Sequence, residues 1–153
     1  LEDVRKILPK GKILSVVAFP PPTLLHPFRD VHWDKDYYHQ IAKGADQIVV
    51  MMYDTAIRFE KVYQNVISKW TREVIDWSRD TKVLLGIPAY EDKGVGYHDP
   101  SVENLRNSLL GVHAGLSRYQ TLPENYQGIA IYCEGEMDRN KWEILGNHFQ
   151  NKK

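Results

Sequence analysis

The chain has 153 residues, of which 42% are hydrophobic and 26% charged, values ordinary for a soluble globular protein built as a single domain over residues 1–153. Its 20 lysines and arginines balance 20 aspartates and glutamates, which argues against nucleic acid or an anionic membrane as a partner. No apolar run reaches the roughly 20 residues of a membrane span, and the single cysteine, Cys133, excludes an intrachain disulfide and a cysteine-cluster zinc site.

The first part of the chain predicts the end of a helix followed by a strand. Residues 1–8 place apolar side chains on one helical face, and residues 9–11 end that helix with proline and glycine. Because the chain begins at Leu1 and not at a methionine, we expect it to be part of a longer protein. Residues 12–19 (KILSVVAF) predict the first strand, and the three prolines at 20–22 end it because proline cannot donate to a strand ladder.

The middle of the chain predicts a short helix, a buried strand and a long helix. Residues 33–42 predict the short helix, with Asp34 as its N-cap and Gly44 as its stop. Residues 47–53 predict the second strand. Their unbroken apolar run begins at residue 48 and ends in a tyrosine, which predicts a strand buried on both faces in a parallel sheet. Apolar residues then recur at steps of three and four over residues 59–77, which indicates an amphipathic helix.

The last third of the chain continues the same alternation. Residues 82–88 (KVLLGIP) predict the third strand. The Asp-Pro pair at 99–100 predicts the start of a helix whose apolar stripe runs to Tyr119, since proline suits the first helical position. Residues 128–133 (GIAIYC) predict the fourth strand, and Asp138 is placed to cap a final helix.

The order of elements is a helix followed by four strand–helix units, with strands that begin near residues 12, 47, 82 and 128. This alternation predicts right-handed crossovers and a parallel sheet. Four such units could form a small open doubly wound sheet or half of a (β/α)8 barrel. An open nucleotide-binding sheet would carry a glycine-rich turn after its first strand. This chain has three prolines there, so the pattern favours the half barrel.

Three strand ends carry motifs in a consistent order. Residues 51–54 (MMYD) resemble the M-x-Y-D motif on the sixth strand of family 18 glycoside hydrolases, the chitinase family. Residues 86–90 (GIPAY) resemble the G-x-P-x-Y that ends the seventh strand of that family, residues 128–132 (GIAIY) its eighth strand, and residues 14–20 its fifth. The resemblance covers nearly the whole chain and implies the C-terminal half, strands 5 to 8, of a (β/α)8 TIM barrel.

The resemblance implies hydrolysis of β-linked N-acetylglucosamine glycans such as chitin, with the substrate's own N-acetyl oxygen as the nucleophile and retention of configuration. In that family the proton donor is a glutamate in a D-x-x-D-x-D-x-E run on the fourth strand. This chain has no such run, so the donor would lie before Leu1 and we expect the isolated chain to be inactive. The motif match assigns Tyr53 the catalytic role of hydrogen-bonding the acetamido group. The resemblance also favours a secreted or cell-surface location.

By the same resemblance and by their position at strand ends, the substrate-binding candidates are Met51, Asp54, Tyr90, Tyr132, Glu134 and Glu136. The eighth strand of the family usually ends in tryptophan, where this chain has Tyr132. That difference favours an alternative function, a non-catalytic glycan-binding barrel (a chitinase-like lectin) or a protein-interaction module. Plainer structural roles stay open, since Asp54 could cap the next helix and Tyr53 or Tyr90 could be a packing aromatic. The two glutamates could cap the final helix.

No metal or other cofactor is expected. The six histidines, at 26, 32, 39, 98, 113 and 148, show neither H-x-x-x-H nor H-E-x-x-H spacing, so the sequence predicts no zinc site. His26 and His32 lie in the loop after the first strand, where ligand contact is an open alternative. A half barrel leaves two sheet edges unpaired, so we expect the isolated chain to self-associate. The expected partners are therefore an oligosaccharide or polysaccharide and a second copy of the chain.

Overall fold

The computed structural model describes residues 1–24, 31–92 and 97–150. It is an α/β fold with an all-parallel sheet, so the predicted alternation of strands and helices is confirmed. No helix in the described ranges is both long and apolar enough to cross a lipid bilayer. The elements in chain order are α1 (Glu2–Ile7), β1 (Ser15–Ala18), α2 (Lys35–Gly44), β2 (Gln47–Met51), α3 (Glu60–Trp77), β3 (Lys82–Pro88), α4 (Leu105–Leu116), β4 (Tyr126–Tyr132), a 3-10 turn (Glu134–Glu136) and α5 (Arg139–Gln150).

The four strands lie side by side in chain order, β1-β2-β3-β4, and every neighbouring pair is parallel. Val17 lies opposite Val49, and Val49 opposite Leu84, so these three side chains share one face of the sheet. Successive side chains of a strand point to opposite faces. The alternate residues Val50 and Leu85 are fully buried under the helices.

The face of the sheet that carries Val17, Val49 and Leu84 has little cover within the described residues. Val17 is 59% exposed, and Val49 and Leu84 are only half-buried. The prediction that the second strand is buried on both faces is therefore wrong for this face, since burial alternates along β2. Parallel sheets are normally covered on both faces. An apolar sheet face without a layer over it indicates a surface that needs a further partner.

Helices α3 and α4 pack closely because α4 presents two glycines to α3. A Cβ added at Gly111 would lie 2.6 Å from Cβ of Ile67, and one added at Gly115 would lie 2.7 Å from Cβ of Thr71. Only hydrogen atoms fit at such distances, so the two backbones approach each other directly. The hydroxyl of Tyr63 lies between the helices, 2.8 Å from Oγ of Ser108 and 3.3 Å from the carbonyl of Met52.

Of three helix starts predicted from the sequence, two are confirmed and one is wrong. Asp34 accepts a hydrogen bond from the amide of Tyr37, and Asp138 accepts one from the amide of Lys141, so both predicted caps are confirmed. The predicted start of α4 at residues 99–100 is wrong, because the helix begins at Leu105 with Asn104 as its N-cap.

The side chain of Asp99 instead stabilises a local turn. It accepts bonds from the amide and the hydroxyl of Ser101. Aspartate readily bonds a backbone two residues on, and this local turn competes with a helix start. The strands are also shorter or shifted relative to prediction: β1 begins at Ser15, β2 ends at Met51, and β4 begins at Tyr126 and ends at Tyr132.

We expect Gly111→Ala and Gly115→Ala each to lower the free energy of unfolding by about 1–3 kcal/mol, because the new methyl groups overlap α3. This overlap outweighs the gain of about 1 kcal/mol that alanine brings to a helix. Gly146→Ala in α5 is the matched control, since a Cβ there meets nothing within 4 Å, and its stability should stay equal or rise. Urea denaturation measures all three variants. Stabilisation by all three would contradict the close approach of α3 and α4.

Candidate functional site

Polar and aromatic side chains collect where β2, β3 and β4 end. Tyr53 and Asp54 follow β2, Tyr90 follows β3, and Tyr132 is the last residue of β4. Parallel strands bring their carboxyl ends to one edge of the sheet, and ligands of α/β folds bind at that edge. The topology therefore brings together residues that lie up to 79 positions apart in the chain.

Three tyrosines, Tyr53, Tyr90 and Tyr132, form what we call the tyrosine cluster. The rings of Tyr53 and Tyr132 are stacked, with centroids 4.8 Å apart and an interplanar angle of 7°. Tyr90 meets both rings edge-on, with centroids 6.4 Å from Tyr53 and 5.4 Å from Tyr132. Tyr132, which precedes a cis peptide bond to Cys133, is 51% exposed and brings the cluster to the surface. Aromatic faces of this kind suit a ligand with a flat apolar side.

Tyr53 is half-buried and lines a cavity of about 430 Å³ together with Met51, Asp54 and Tyr97. Its neighbour Met52 is fully buried in the core beneath the helices, so Tyr53 points to the opposite side of the sheet. Burial, followed by the nearness of Tyr132 and Asp54, raises the pKa of Tyr53 to about 12. At neutral pH its phenol is therefore a protonated hydrogen-bond donor.

Asp54 lies at the turn after β2, in the left-handed region with φ of 60°. Aspartate tolerates this region better than most residues. The hydroxyl of Tyr90 donates a hydrogen bond to Oδ1 of Asp54. Burial raises the pKa of Tyr90 above its usual value, and this bond to Asp54 raises it further, so the hydroxyl stays a donor. The Asp54 side chain remains 34% exposed and is reachable from the cavity.

Beneath the tyrosine cluster lie Asp54, His98 and Glu103, which we call the polar cluster. The side chains of His98 and Glu103 are fully buried. Nδ1 of His98 lies 3.6 Å from Oε2 of Glu103 and 3.8 Å from Oδ1 of Asp54. Nε2 of His98 lies 3.3 Å from the carbonyl oxygen of Tyr90, and the two rings are stacked with centroids 4.0 Å apart.

Glu103 is held in place by Thr55. The amide of Thr55 donates to both carboxylate oxygens, at 3.0 Å and 3.1 Å, and its hydroxyl donates to Oε1 at 2.7 Å. Burial raises the pKa of Glu103, whereas the Thr55 bonds act in the opposite direction. These bonds fasten the turn after β2 to the segment that leads into α4, and so fix the backbone that carries Asp54.

The remaining candidates divide between the site and the surface. Glu136 lines a second cavity of about 280 Å³ with Asp54 and Tyr132, and it accepts a hydrogen bond from the amide of Glu91. Glu134 is exposed in the 3-10 turn and is not among the described residues that line this cavity. Of the two histidines in the loop after β1, His32 lines the larger cavity, whereas His26 lies outside the described residues.

Sequence reasoning missed Thr55, His98 and Glu103 as members of the site. His98 and Glu103 belong to the segment between β3 and α4, and their spacing of five residues matches no ligand motif. Glu103 stands between the apolar Val102 and Leu105, and nothing in this local pattern indicates a buried carboxylate. The burial of Glu103 cannot be predicted from the sequence, because its partner Thr55 lies 48 residues away in the chain and reaches it only in the folded structure.

We expect Thr55→Val to lower the free energy of unfolding by about 1.5–3 kcal/mol, the usual effect of removing a hydrogen bond to a buried charged group. Valine has nearly the same shape but lacks the hydroxyl that donates to Glu103. Thr121→Val, at an exposed threonine, is the control and should change stability little. Chemical denaturation at neutral pH compares the variants, and equal losses in both would contradict the importance of the Thr55–Glu103 bond.

Comparison of the chain with family models, with curated proteins and with solved structures gives no match in any of the three. These comparisons neither support nor contradict the resemblance of residues 51–54 and 86–90 to family 18 glycoside hydrolases. Any functional assignment therefore depends on the geometry at the carboxyl ends of the strands, where the tyrosine cluster and the polar cluster meet.

Proposed function

We propose that this chain forms strands 5 to 8 of a (β/α)8 barrel that hydrolyses β-linked glycans containing N-acetylglucosamine. Two features of the fold support the barrel. The strands are neighbours in chain order, as successive strands of such a barrel are. The face that carries Val17 and Val49 is apolar and little covered, as the inward face of half a barrel would be.

The observation that carries the proposed chemistry is the pairing of a neutral Tyr53 phenol with the Asp54 carboxylate beside one cavity. In substrate-assisted hydrolysis the acetamido oxygen of the sugar attacks its own anomeric carbon. A phenol that donates to that acetamido group and a carboxylate that accepts from its N–H would orient it for attack. Tyr132, stacked on Tyr53, would offer its exposed ring to a sugar face.

The proton donor of this mechanism is a glutamate expected on the fourth strand of the barrel, outside the 153 residues. It would protonate the glycosidic oxygen as the bond to the leaving sugar breaks and the acetamido oxygen bonds to the anomeric carbon. Water would then open the cyclic intermediate with retention of configuration. The residues of this chain would bind and orient the sugar, and strand 4 of the proposed barrel would supply the acid.

A second function, binding of a glycan without hydrolysis, is favoured by one observation. Tyr132 stands where the resembled family usually has tryptophan, and its ring is half exposed and parallel to Tyr53. Such a platform holds a sugar by stacking and does not require an acid nearby. The two functions differ in a measurable way, because only the first gives turnover when the preceding segment is present.

We expect no turnover of chitooligosaccharides by the 153-residue chain alone, and turnover by the protein that includes the residues before Leu1. In that longer protein, Tyr53→Phe should lower kcat by about 10²–10³-fold, the usual cost of losing a donor to developing charge. Tyr37→Phe, at an exposed tyrosine of α2, is the matched control and should leave kcat unchanged. The assay measures release of reducing ends from chitotetraose.

Each result of this assay has a consequence. Turnover by the 153-residue chain alone would contradict the placement of the acid outside it. Glycan binding without turnover in the longer protein would favour the binding function. Activity that is undiminished in Tyr53→Phe would contradict the role of Tyr53, whereas an equal loss in Tyr37→Phe would point to a general structural effect.

We also infer that the isolated 153-residue chain dimerises through its bare sheet face. The edge strands β1 and β4 are unpaired in the described sheet, and unpaired edges next to an apolar face promote association. Val17→Asp should weaken the dimer, whereas Leu122→Asp, at an exposed leucine before β4, should not. Sedimentation equilibrium at tens of micromolar, where weak self-association is measurable, gives the mass. A monomer under these conditions would contradict the inference.

A further inference from the structure

We propose that the polar cluster, Asp54, His98 and Glu103, binds a divalent transition-metal cation such as Zn²⁺. Each residue offers one ligand atom, and the three atoms lie within 4.8 Å of one another. The inference is independent of the proposed glycosidase, because metal binding is measured without a glycan. It also differs from what histidine spacing predicts, since the three ligands come from the turn after β2 and from the segment between β3 and α4.

The distances from Nδ1 of His98 to the two carboxylate oxygens suit a shared cation. Around a tetrahedral Zn²⁺ with bonds of about 2.1 Å, neighbouring ligand atoms lie about 3.4 Å apart. Nδ1 of His98 lies 3.6 Å from Oε2 of Glu103 and 3.8 Å from Oδ1 of Asp54. A charged N–H···O hydrogen bond would bring these atoms to about 2.8 Å. The observed distances are too long for such a bond and close to those around a metal ion.

The second argument is the hydrogen-bonding state of His98. Its side chain is fully buried, and Nδ1 has no hydrogen-bond partner among the described residues. Nε2 lies 3.3 Å from the carbonyl oxygen of Tyr90, which only accepts hydrogen bonds, so the ring proton of neutral His98 belongs on Nε2. Nδ1 then carries a lone pair close to two carboxylate oxygens. Three electron-rich atoms converge, and a cation between them would give Nδ1 of His98 the partner that it lacks.

Each ligand is also oriented by a partner outside the cluster. The Nε2–H of His98 is directed to the carbonyl of Tyr90, the Tyr90 hydroxyl donates to Asp54, and Thr55 donates to Glu103 through its amide and its hydroxyl. Metal-binding histidines almost always donate their other ring N–H in this way, and metal-binding carboxylates are themselves hydrogen-bonded. The three ligands are therefore held in position before any metal arrives.

The chemistry of the three ligands indicates which ion would bind, and the adjoining cavity gives that ion a route to them. One imidazole with two carboxylates favours Zn²⁺ or a similar transition metal over Mg²⁺, which prefers oxygen ligands alone. Asp54 is 34% exposed and lines the cavity of about 280 Å³, so an ion can enter from that side. Three protein ligands leave a fourth position facing the cavity, where water or a ligand oxygen would bind.

The test titrates the chelator-treated chain with ZnCl2 in an isothermal calorimeter, and with MgCl2 in parallel. We expect one equivalent of Zn²⁺ to bind and Mg²⁺ to bind at least tenfold more weakly. His98→Ala and Asp54→Asn should each weaken Zn²⁺ binding at least tenfold. His113→Ala is the matched control and should leave Zn²⁺ binding unchanged. His113 is an exposed histidine on α4 outside the polar cluster, and its ring centroid lies 6.2 Å from that of His148.

Circular dichroism first establishes that each variant is folded. Asp54 is one-third exposed, so Asp54→Asn provides the test if His98→Ala does not fold. Co²⁺ in place of Zn²⁺ gives a second readout, because a low-symmetry site produces intense visible absorption that Asp54→Asn should remove. No Zn²⁺ binding at submillimolar concentration, or binding that is unchanged in both ligand variants, would overturn the proposal. Loss of binding in His113→Ala alone would place the ion elsewhere and overturn it equally.

Discussion

The parallel pairing of β2, β3 and β4 is the constraint on which the candidate site depends. Because these strands run in the same direction, their carboxyl ends lie at one edge, and Tyr53, Tyr90 and Tyr132 must meet there. An antiparallel arrangement would send one of these residues to the far end of the sheet. The close packing of α4 on α3 at Gly111 and Gly115 completes the support, since α4 follows the segment that carries the buried glutamate.

Burial of polar groups is the second theme of the structure. A buried carboxylate is tolerated only when its oxygens are satisfied, and Glu103 meets this requirement through three hydrogen bonds from Thr55. The hydrogen-bonding capacity of His98 is only partly satisfied. Its Nε2 lies within hydrogen-bonding distance of the Tyr90 carbonyl, whereas its Nδ1 faces two carboxylates. A buried polar atom without a hydrogen-bond partner is rare in folded proteins and calls for an explanation, such as a catalytic role or a bound ion. The proposed cation follows from this incomplete satisfaction.

Tyr90 links the tyrosine cluster to the polar cluster. Its ring packs edge-on against Tyr53 and Tyr132 on one side and stacks on His98 on the other, while its hydroxyl bonds to Asp54. Asp54 therefore belongs both to the cavity of the proposed sugar site and to the proposed metal site. A ligand bound against the tyrosine cluster and a cation held by the polar cluster would be only a few atoms apart. The two proposals can hold together or separately.

The sequence by itself determined the order of elements, the third strand at Lys82–Pro88 and the caps at Asp34 and Asp138, because these features depend on local periodicity and on side chains near their own backbone. It also placed Tyr53 at the end of the second strand, with Asp54 directly after it and Tyr90 after the third strand. It misplaced the start of α4, where the Asp99 turn competes with the helix. Only the tertiary structure decided that one sheet face stays bare and that Asp54 meets His98 and Glu103. These contacts join residues more than 40 positions apart, and no local pattern encodes such a distance.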